Sequence, residues 1–470
     1  MWSPDYACNY FRIALPAHFT YGDGTVPSEA PLPNVLNIDG VSLQAYLNGA
    51  WVTRMATLGG QASWAIDPAH NSVGVLLDDV VFDSNIPAGT HMMLRIASNV
   101  PVNGTMMGGR FASKMDYAIE SAATATASLK SQLTATGRAV GGTDRLNGRL
   151  YCPTYVIARP INPLDRPVFI AYGDSITYGK GNSSYYFDER QAIGFISQAL
   201  DDRAASRRMA ACNLCCAGVS VRDWKDRSAL ANKLDLIRLA PNRPYTHMIS
   251  ELYNSGGLDN SYRTTFGVYY DMLLAESRAW SDTAAPLYQT RPIPHPSSKD
   301  FCTTLAGQAG TDSSTSSENL KTSVKWSKFD VDLQAGAFRQ LAGSIDVNRD
   351  YAYDQGANRN KVRLGAHFTV AQSYTAGDTS IVLNERAEGP LTLVINSSAT
   401  DASGYVVTRT PKPTGSGTYT YAITAGSVDL PQGSVIAATY VGDLIGTHPS
   451  TAGASLLANA MIDWKNATFG

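Results

Sequence analysis

Pro167-Val168-Phe169-Ile170-Ala171-Tyr172-Gly173-Asp174-Ser175-Ile176-Thr177-Tyr178-Gly179 joins two kinds of chain. Val168 to Tyr172 is an apolar run of strand type, and it stops at a Gly-Asp-Ser turn followed by a polar, glycine-bearing loop. A serine placed there sits on rigid backbone at the carboxyl end of a buried strand, where open α/β sheets bind ligands. Gly173 permits a sharp turn and a close approach of substrate to backbone. The same residue types also build ordinary solvated turns, so the rest of the chain has to supply the remaining chemistry. A serine hydroxyl is a weak nucleophile and needs a neighbouring base, usually histidine. Histidines occur at 18, 70, 91, 247, 295, 367 and 448. His448 lies in Gly446-Thr447-His448-Pro449-Ser450, directly before a last helical pattern, where a loop can aim it across the sheet tip. His295, in Ile293-Pro294-His295-Pro296, has a similar setting but is followed by a loop and comes earlier in the chain. The nearest carboxylate before His448 is Asp443, and an acidic group there would hold the imidazole tautomer and stabilise the imidazolium.

Val168 to Gly179 resembles the first block of the SGNH (GDSL-type) hydrolases, serine esterases on a flavodoxin-like α/β/α fold. Asn213-Leu214-Cys215-Cys216-Ala217-Gly218 is similar to the second block of that family, and Gly446 to Ser450 to the last. In Ser250-Glu251-Leu252-Tyr253-Asn254-Ser255 only the Asn of the usual Gly-x-Asn-Asp third block is kept, as Asn254, with Leu252 and Ser255 in the flanking places. The four matches follow the family's order, each at a strand end. The resemblance implies Ser175 as nucleophile, His448 as base, and an oxyanion hole made by the backbone N–H groups of Ser175 and Gly218 and the side chain of Asn254. Asp174 belongs to the first block and is expected to bond nearby backbone. Three residues before the histidine the family has Asp, where this chain has Ile445. Asp443 is therefore the expected third triad member, with a carbonyl-oriented Ser–His dyad or an impaired site as the alternatives. No Gly-x-Ser-x-Gly elbow occurs, so the α/β-hydrolase family has no anchor here.

The elements that must hold these residues fall into three expected regions. Residues 1–160 read as a β-sandwich-like domain: short runs such as Phe11 to Leu15, Val73 to Leu77 and His91 to Ile96 alternate with turn signals. The Ala-, Ser- and Thr-rich tract Ser121 to Thr136 is compatible with a helix or a long loop. Residues 161–366 and 442–470 alternate strands and helices and predict an α/β/α domain with a parallel sheet. Its strands are expected at Val168 to Tyr172, Ala210 to Cys216, His247 to Leu252, Pro286 to Thr290 and Ala342 to Val347. Helices are expected over Asp188 to Ala204, around Leu230 to Ile237, over Tyr262 to Trp280, and after a cap at Ser450 or Thr451. Residues 367–441 carry five alternating runs and predict an inserted all-β subdomain: Thr379 to Leu383, Leu391 to Ile395, Tyr405 to Thr408, Thr418 to Ile423 and Ser434 to Tyr440.

Composition narrows the function classes. With 470 residues, 44% of them hydrophobic and 17% charged, the chain predicts two or three packed domains. A formal net charge of −2 gives no reason to expect a nucleic-acid or anionic-membrane partner. No run has the roughly 18 apolar residues of a membrane span, and Met1 to Tyr10 lacks the pattern of a signal peptide. Localisation is left open between the cytoplasm, release by another route such as phage lysis, and a sequence trimmed at its start, with action on extracellular or surface glycans as the expectation. Six cysteines do not make a disulfide scaffold. Cys212-Asn213-Leu214-Cys215-Cys216 has no second pair to complete a metal site, so buried thiols are expected and no metal or cofactor. Trp2, Trp51 and Trp64 are candidates for stacking on sugars, against the plainer expectation of core packing.

Within the resemblance, β-rich regions, a low-charge surface and no apolar lid favour a short-chain, acetyl-type esterase acting on a carbohydrate over a lipase or thioesterase. The architecture also resembles phage-tail or surface proteins that remove acetyl groups from capsules. The alternative from another class is a non-catalytic receptor- or glycan-binding module on the same scaffold, which Ile445 and the altered third block would suit. The expected partner is an acylated small molecule or polysaccharide; the sequence leaves the oligomeric state open.

Overall fold

A strand buried on both faces needs apolar side chains at successive positions, and Phe169-Ile170-Ala171-Tyr172 meets that need. In a computed structural model this segment is the first strand, β1, of a five-stranded parallel sheet. The structure describes residues 4–20, 29–107, 119–120, 133–136, 143–144, 155–162, 166–179, 194–202, 205–215, 218–225, 231–240, 245–252, 262–280, 284–294, 297–298, 308–309, 329, 331–352, 363–364, 367–386, 392–395, 417–423, 429–440 and 449–470. The other strands of this sheet are β2 (Ala211–Asn213), β3 (His247–Ser250), β4 (Leu287–Thr290) and β5 (Leu341–Ile345). They run in the order β2-β1-β3-β4-β5, every neighbour parallel. That order makes the sheet doubly wound, with its switch point between β1 and β3, outside whose carboxyl ends sheets of this kind bind ligands.

Alternate residues of β1 feed opposite faces. Phe169 and Ala171 join Ile249 of β3 in one apolar cluster. The same cluster takes side chains from α1 (Ser175–Tyr178), α2 (Phe195–Leu200) and α6 (Thr451–Phe469). Ile170 and Tyr172 join Met248 on the other face, packed by α3 (Val221–Lys225), α4 (Ala231–Arg238) and α5 (Tyr262–Trp280). The sheet therefore lies between two helical layers, and β1 contributes side chains to both. The bounds of α5 are those expected from the sequence. Helix α2 is shorter than the expected 188–204, of which 188–193 and 203–204 lie outside the described residues. It starts after Gly194, whose φ of +78° is left-handed, and it stops at Asp201.

Before this sheet, two four-stranded antiparallel sheets share one apolar cluster that includes Phe11, Leu15, Leu36, Leu43 and Phe82. One is built on Cys8–Pro16, the other on Leu36–Leu47. Of the tract 121–136, residues 133–136 form a turn whose Leu133 carbonyl accepts the Ser42 hydroxyl at 2.6 Å; 121–132 lie outside the described residues. Trp64 packs against the cluster, Trp51 is half-buried beside Tyr46, and Trp2 lies outside the described residues. Cys8 and Cys215 are buried, as expected of the cysteines.

Beyond β5, Val435–Thr439 pairs with His367–Thr369 and Thr392–Ile395, and Ser380–Leu383 pairs with Tyr419–Ala422, all antiparallel. Phe368, Ile381, Leu383, Tyr421 and Ile436 share a separate apolar cluster. His367–Thr369 adds a strand beyond the five expected runs, and the run 405–408 lies outside the described residues. Among the described residues no helix is long and apolar enough to cross a membrane.

Candidate active site

Of the residues from Phe169 to Gly179, Ser175 alone is not buried. The chain produces this by packing every neighbour: Ile176 and Tyr178 enter the apolar cluster below, and Thr177 is fully buried. Asp174 begins the turn. Its Oδ1 accepts the Ile176 N–H at 2.8 Å and its carbonyl accepts the Tyr178 N–H at 3.0 Å, so one residue caps α1 with side chain and backbone together. Gly179, with φ +89°, ends the helix in the left-handed region. Asp174 thus bonds nearby backbone as the sequence suggests.

Both strands that flank β1 reach over to hold this turn. From β2, the Asn213 amide nitrogen donates to the Thr177 carbonyl at 3.2 Å and to the Ser197 hydroxyl at 2.9 Å. Its oxygen accepts the Cys215 N–H at 2.9 Å. From the end of β3, Glu251 Oε2 accepts the Asp174 N–H at 3.3 Å and the Thr177 hydroxyl at 3.1 Å, while the Glu251 N–H donates to the Tyr172 carbonyl at 2.9 Å. Glu251 is fully buried. Gly173 has no room for a side chain: a Cβ there would lie 2.8 Å from both Cys215 Sγ and Thr177 Cβ.

Gly218 lies exposed beyond the carboxyl end of β2 with φ +84°. The turn that follows it is fixed by Ser220, whose N–H and hydroxyl both donate to Asp223 Oδ2, at 2.7 and 2.8 Å, as α3 begins. Leu252, which the resemblance sets at the glycine of the third block, is fully buried against the helices of that face. Asn254, Asp443, Ile445 and His448, as well as His295, lie outside the described residues. Residues 441–448 are bounded by described neighbours: Ser450 N–H donates to the Tyr440 carbonyl at 2.8 Å and the Ser450 hydroxyl to the Thr439 carbonyl at 2.8 Å. Ser450 also caps α6, its hydroxyl accepting the Gly453 N–H at 3.2 Å.

Three residues that hold the turn were not given a role by sequence reading: Glu251, Thr177 and Asn213. Each stands inside a quoted block, so the blocks located them. Only the fold shows that side chains of the second and third blocks bond to the first, across as many as 77 residues of sequence.

No family model matches the sequence, and no curated protein matches it. Among solved structures, a carbohydrate acetylesterase from Sinorhizobium meliloti is similar at a TM-score of 0.26 and 10% identity, over 42% of this chain and 91% of that one. A carbohydrate acetylesterase from Xanthomonas citri is similar at 0.27 and 9%, over 93% of this chain and 98% of that one. A family two carbohydrate esterase from Cellvibrio japonicus is similar at 0.24 and 11%, over 72% and 88%. At these TM-scores the likenesses carry no weight for this chain's chemistry, which rests on its own residues.

Proposed function

We propose that this chain is a serine esterase that hydrolyses short acyl esters, acetyl above all, on a carbohydrate, through an acyl-enzyme on Ser175. The observation that carries the reading is the lone accessible serine in an otherwise buried strand–turn–helix, at the carboxyl end of β1 where a doubly wound sheet opens its crevice. In this reading Ser175 Oγ attacks the ester carbonyl while His448 takes its proton. The oxyanion that forms accepts hydrogen bonds from the N–H groups of Ser175 and Gly218 and from Asn254. Collapse of the tetrahedral intermediate releases the alcohol, which takes the proton from His448, and water then attacks the acyl-enzyme by the same route. Asp443 orients the imidazole. Residues 1–160 and 367–441 are separate β modules that flank and interrupt the α/β unit, and they suit a protein that meets a large acylated glycan.

The test is hydrolysis of p-nitrophenyl esters from acetyl to long acyl chains by the protein and by Ser175→Ala. Turnover confined to short chains and lost in Ser175→Ala is the expected result, and it leads directly to assays on acetylated glycans. A preference for long chains replaces the reading with a lipase or thioesterase. Equal inactivity of both proteins replaces it with a non-catalytic binding module, for which Ile445 and Leu252 in the altered family positions are the reasons at hand.

A further inference from the structure

We propose that Glu251 is a positioning residue for Ser175, its buried carboxylate setting the orientation of the turn from which the serine hydroxyl and N–H are presented. The proposal rests on the esterase reading of that serine. Three features carry it. First, a carboxylate is expensive to take out of water and is kept inside a protein only where hydrogen bonds replace its hydration; Glu251 is fully buried. Second, two hydrogen bonds converge on one oxygen, Oε2, and their donors straddle Ser175: Asp174 N on one side at 3.3 Å and Thr177 Oγ1 on the other at 3.1 Å. Third, the Glu251 N–H donates to the Tyr172 carbonyl at 2.9 Å, one step beyond the last paired residues of β1 and β3, so its backbone is tied to β1 immediately before the turn.

The consequence for Ser175 is mechanical. The Asp174 N–H is held by Glu251 Oε2 at 3.3 Å, while Asp174 Oδ1 holds the Ile176 N–H at 2.8 Å. Without the Glu251 oxygen that N–H loses this acceptor, and the local bonding has to readjust because buried backbone donors are kept paired. Rotating the Gly173–Asp174 peptide to achieve this moves the next residue, which is Ser175. Transition-state geometry is sensitive to such shifts: a displacement of about 1 Å can cost roughly a hundredfold in rate. Glu251 touches neither substrate nor reacting atoms in this account.

The experiment compares Glu251→Gln, Glu251→Ala and Thr177→Val with the unmodified protein and Ser175→Ala. It uses kcat and KM on p-nitrophenyl acetate, the rate at which a fluorophosphonate labels Ser175 by intact mass, and the melting temperature. Glu251→Ala is expected to lower kcat and the labelling rate about a hundredfold, with KM within about threefold of the original. Glu251→Gln keeps an oxygen that can accept both bonds and is expected to stay within about tenfold of the original, rescuing most of the loss. Thr177→Val removes one bond and is expected to cost about tenfold in kcat. If Glu251→Ala does not fold, Glu251→Gln and Thr177→Val still decide. The proposal is overturned if Thr177→Val and Glu251→Ala react at the original rate, if Glu251→Gln is as slow as Glu251→Ala, or if losses in rate only follow losses in melting temperature. If the unmodified protein neither hydrolyses the ester nor is labelled at Ser175, the esterase reading itself has failed, an outcome distinct from all of these.

Discussion

Gly194 and Thr177 touch without room for a methyl group: a Cβ on Gly194 would lie 1.9 Å from the Thr177 carbonyl oxygen. The start of α2 is thus pressed against the helix that carries Ser175, and Gly194 adopts φ +78° to make the contact. Gly194→Ala combines left-handed strain with backbone overlap, and about 3 kcal/mol of stability is expected to be lost. On the proposed function, esterase activity should fall with it, because the atom displaced belongs to the turn that carries Ser175. A chemical denaturation curve beside the acetate-ester assay checks both, and an unchanged midpoint would rule out the contact.

Asn213 spends both ends of its amide on backbone or side-chain partners around the same turn: the Thr177 carbonyl, the Ser197 hydroxyl and the Cys215 N–H. Asn213→Leu, close in volume, should cost about 2 kcal/mol by leaving these groups without their partner. Asn213→Asp retains the acceptor for Cys215 but turns a donor towards the Thr177 carbonyl into a repelling oxygen. It should therefore be as unstable as Asn213→Leu, and equal stability with the original protein would show that the amide donor is dispensable.

Ser450 joins the last strand before residues 441–448 to the helix after them, through the Thr439 carbonyl and the Gly453 N–H. Ser450→Ala removes the cap and leaves the carbonyl of a buried residue without this donor. About 1–2 kcal/mol should be lost. On the proposed function, kcat should fall more than stability alone explains, since His448 lies two residues before the cap. A fall in melting temperature with kcat unchanged at 25 °C would separate the cap from the base.

His18 and Glu29 face each other at 4.0 Å in the interior, beside Lys233 of α4. The Asn232 and Lys233 N–H groups donate to Glu29 Oε2 at 3.0 and 3.2 Å, so this pair links an N-terminal hairpin to the α/β unit. Burial pushes the Glu29 carboxyl up from 4.5 to about 7, while burial and then the Lys233 charge push His18 down from 6.5 to about 3. A raised carboxyl pKa means that the folded chain holds the proton more tightly, so this contribution falls as pH rises from about 4.5 to about 7. A lowered histidine pKa has the opposite sign, and its contribution falls as pH drops from about 6.5 to about 3. Between pH 4.5 and 6.5 the two slopes cancel. His18→Gln should uncover a loss on the order of 3 kcal/mol as pH rises through that window to about 7, and Glu29→Gln should uncover a loss as pH falls. Urea midpoints from pH 4 to 8 read both; two variants with the profile of the original protein would contradict the assignment.

The sequence by itself determined the strand at 169–172, the polar turn that ends it, the helix at 262–280 and a hydroxyl cap at Ser450 or Thr451, of which the structure uses Ser450, because each follows from local chemistry: an apolar run, a glycine turn, a 3.6-residue stripe, a hydroxyl before an apolar helix. It also marked Ser175 as the residue to watch. It did not reveal the start of α2, where Gly194 is left-handed and packs against the Thr177 carbonyl of α1, earlier in the chain. Nor did it assign Glu251, whose type and neighbours read as an ordinary strand end. Only the parallel pairing of β1 with β2 and β3 brings Asn213 and Glu251 to the two sides of one turn. Burial then leaves Ser175 as the single accessible residue of its segment. Exposure and long-range hydrogen bonding are properties of packed layers, and no window of the chain contains them.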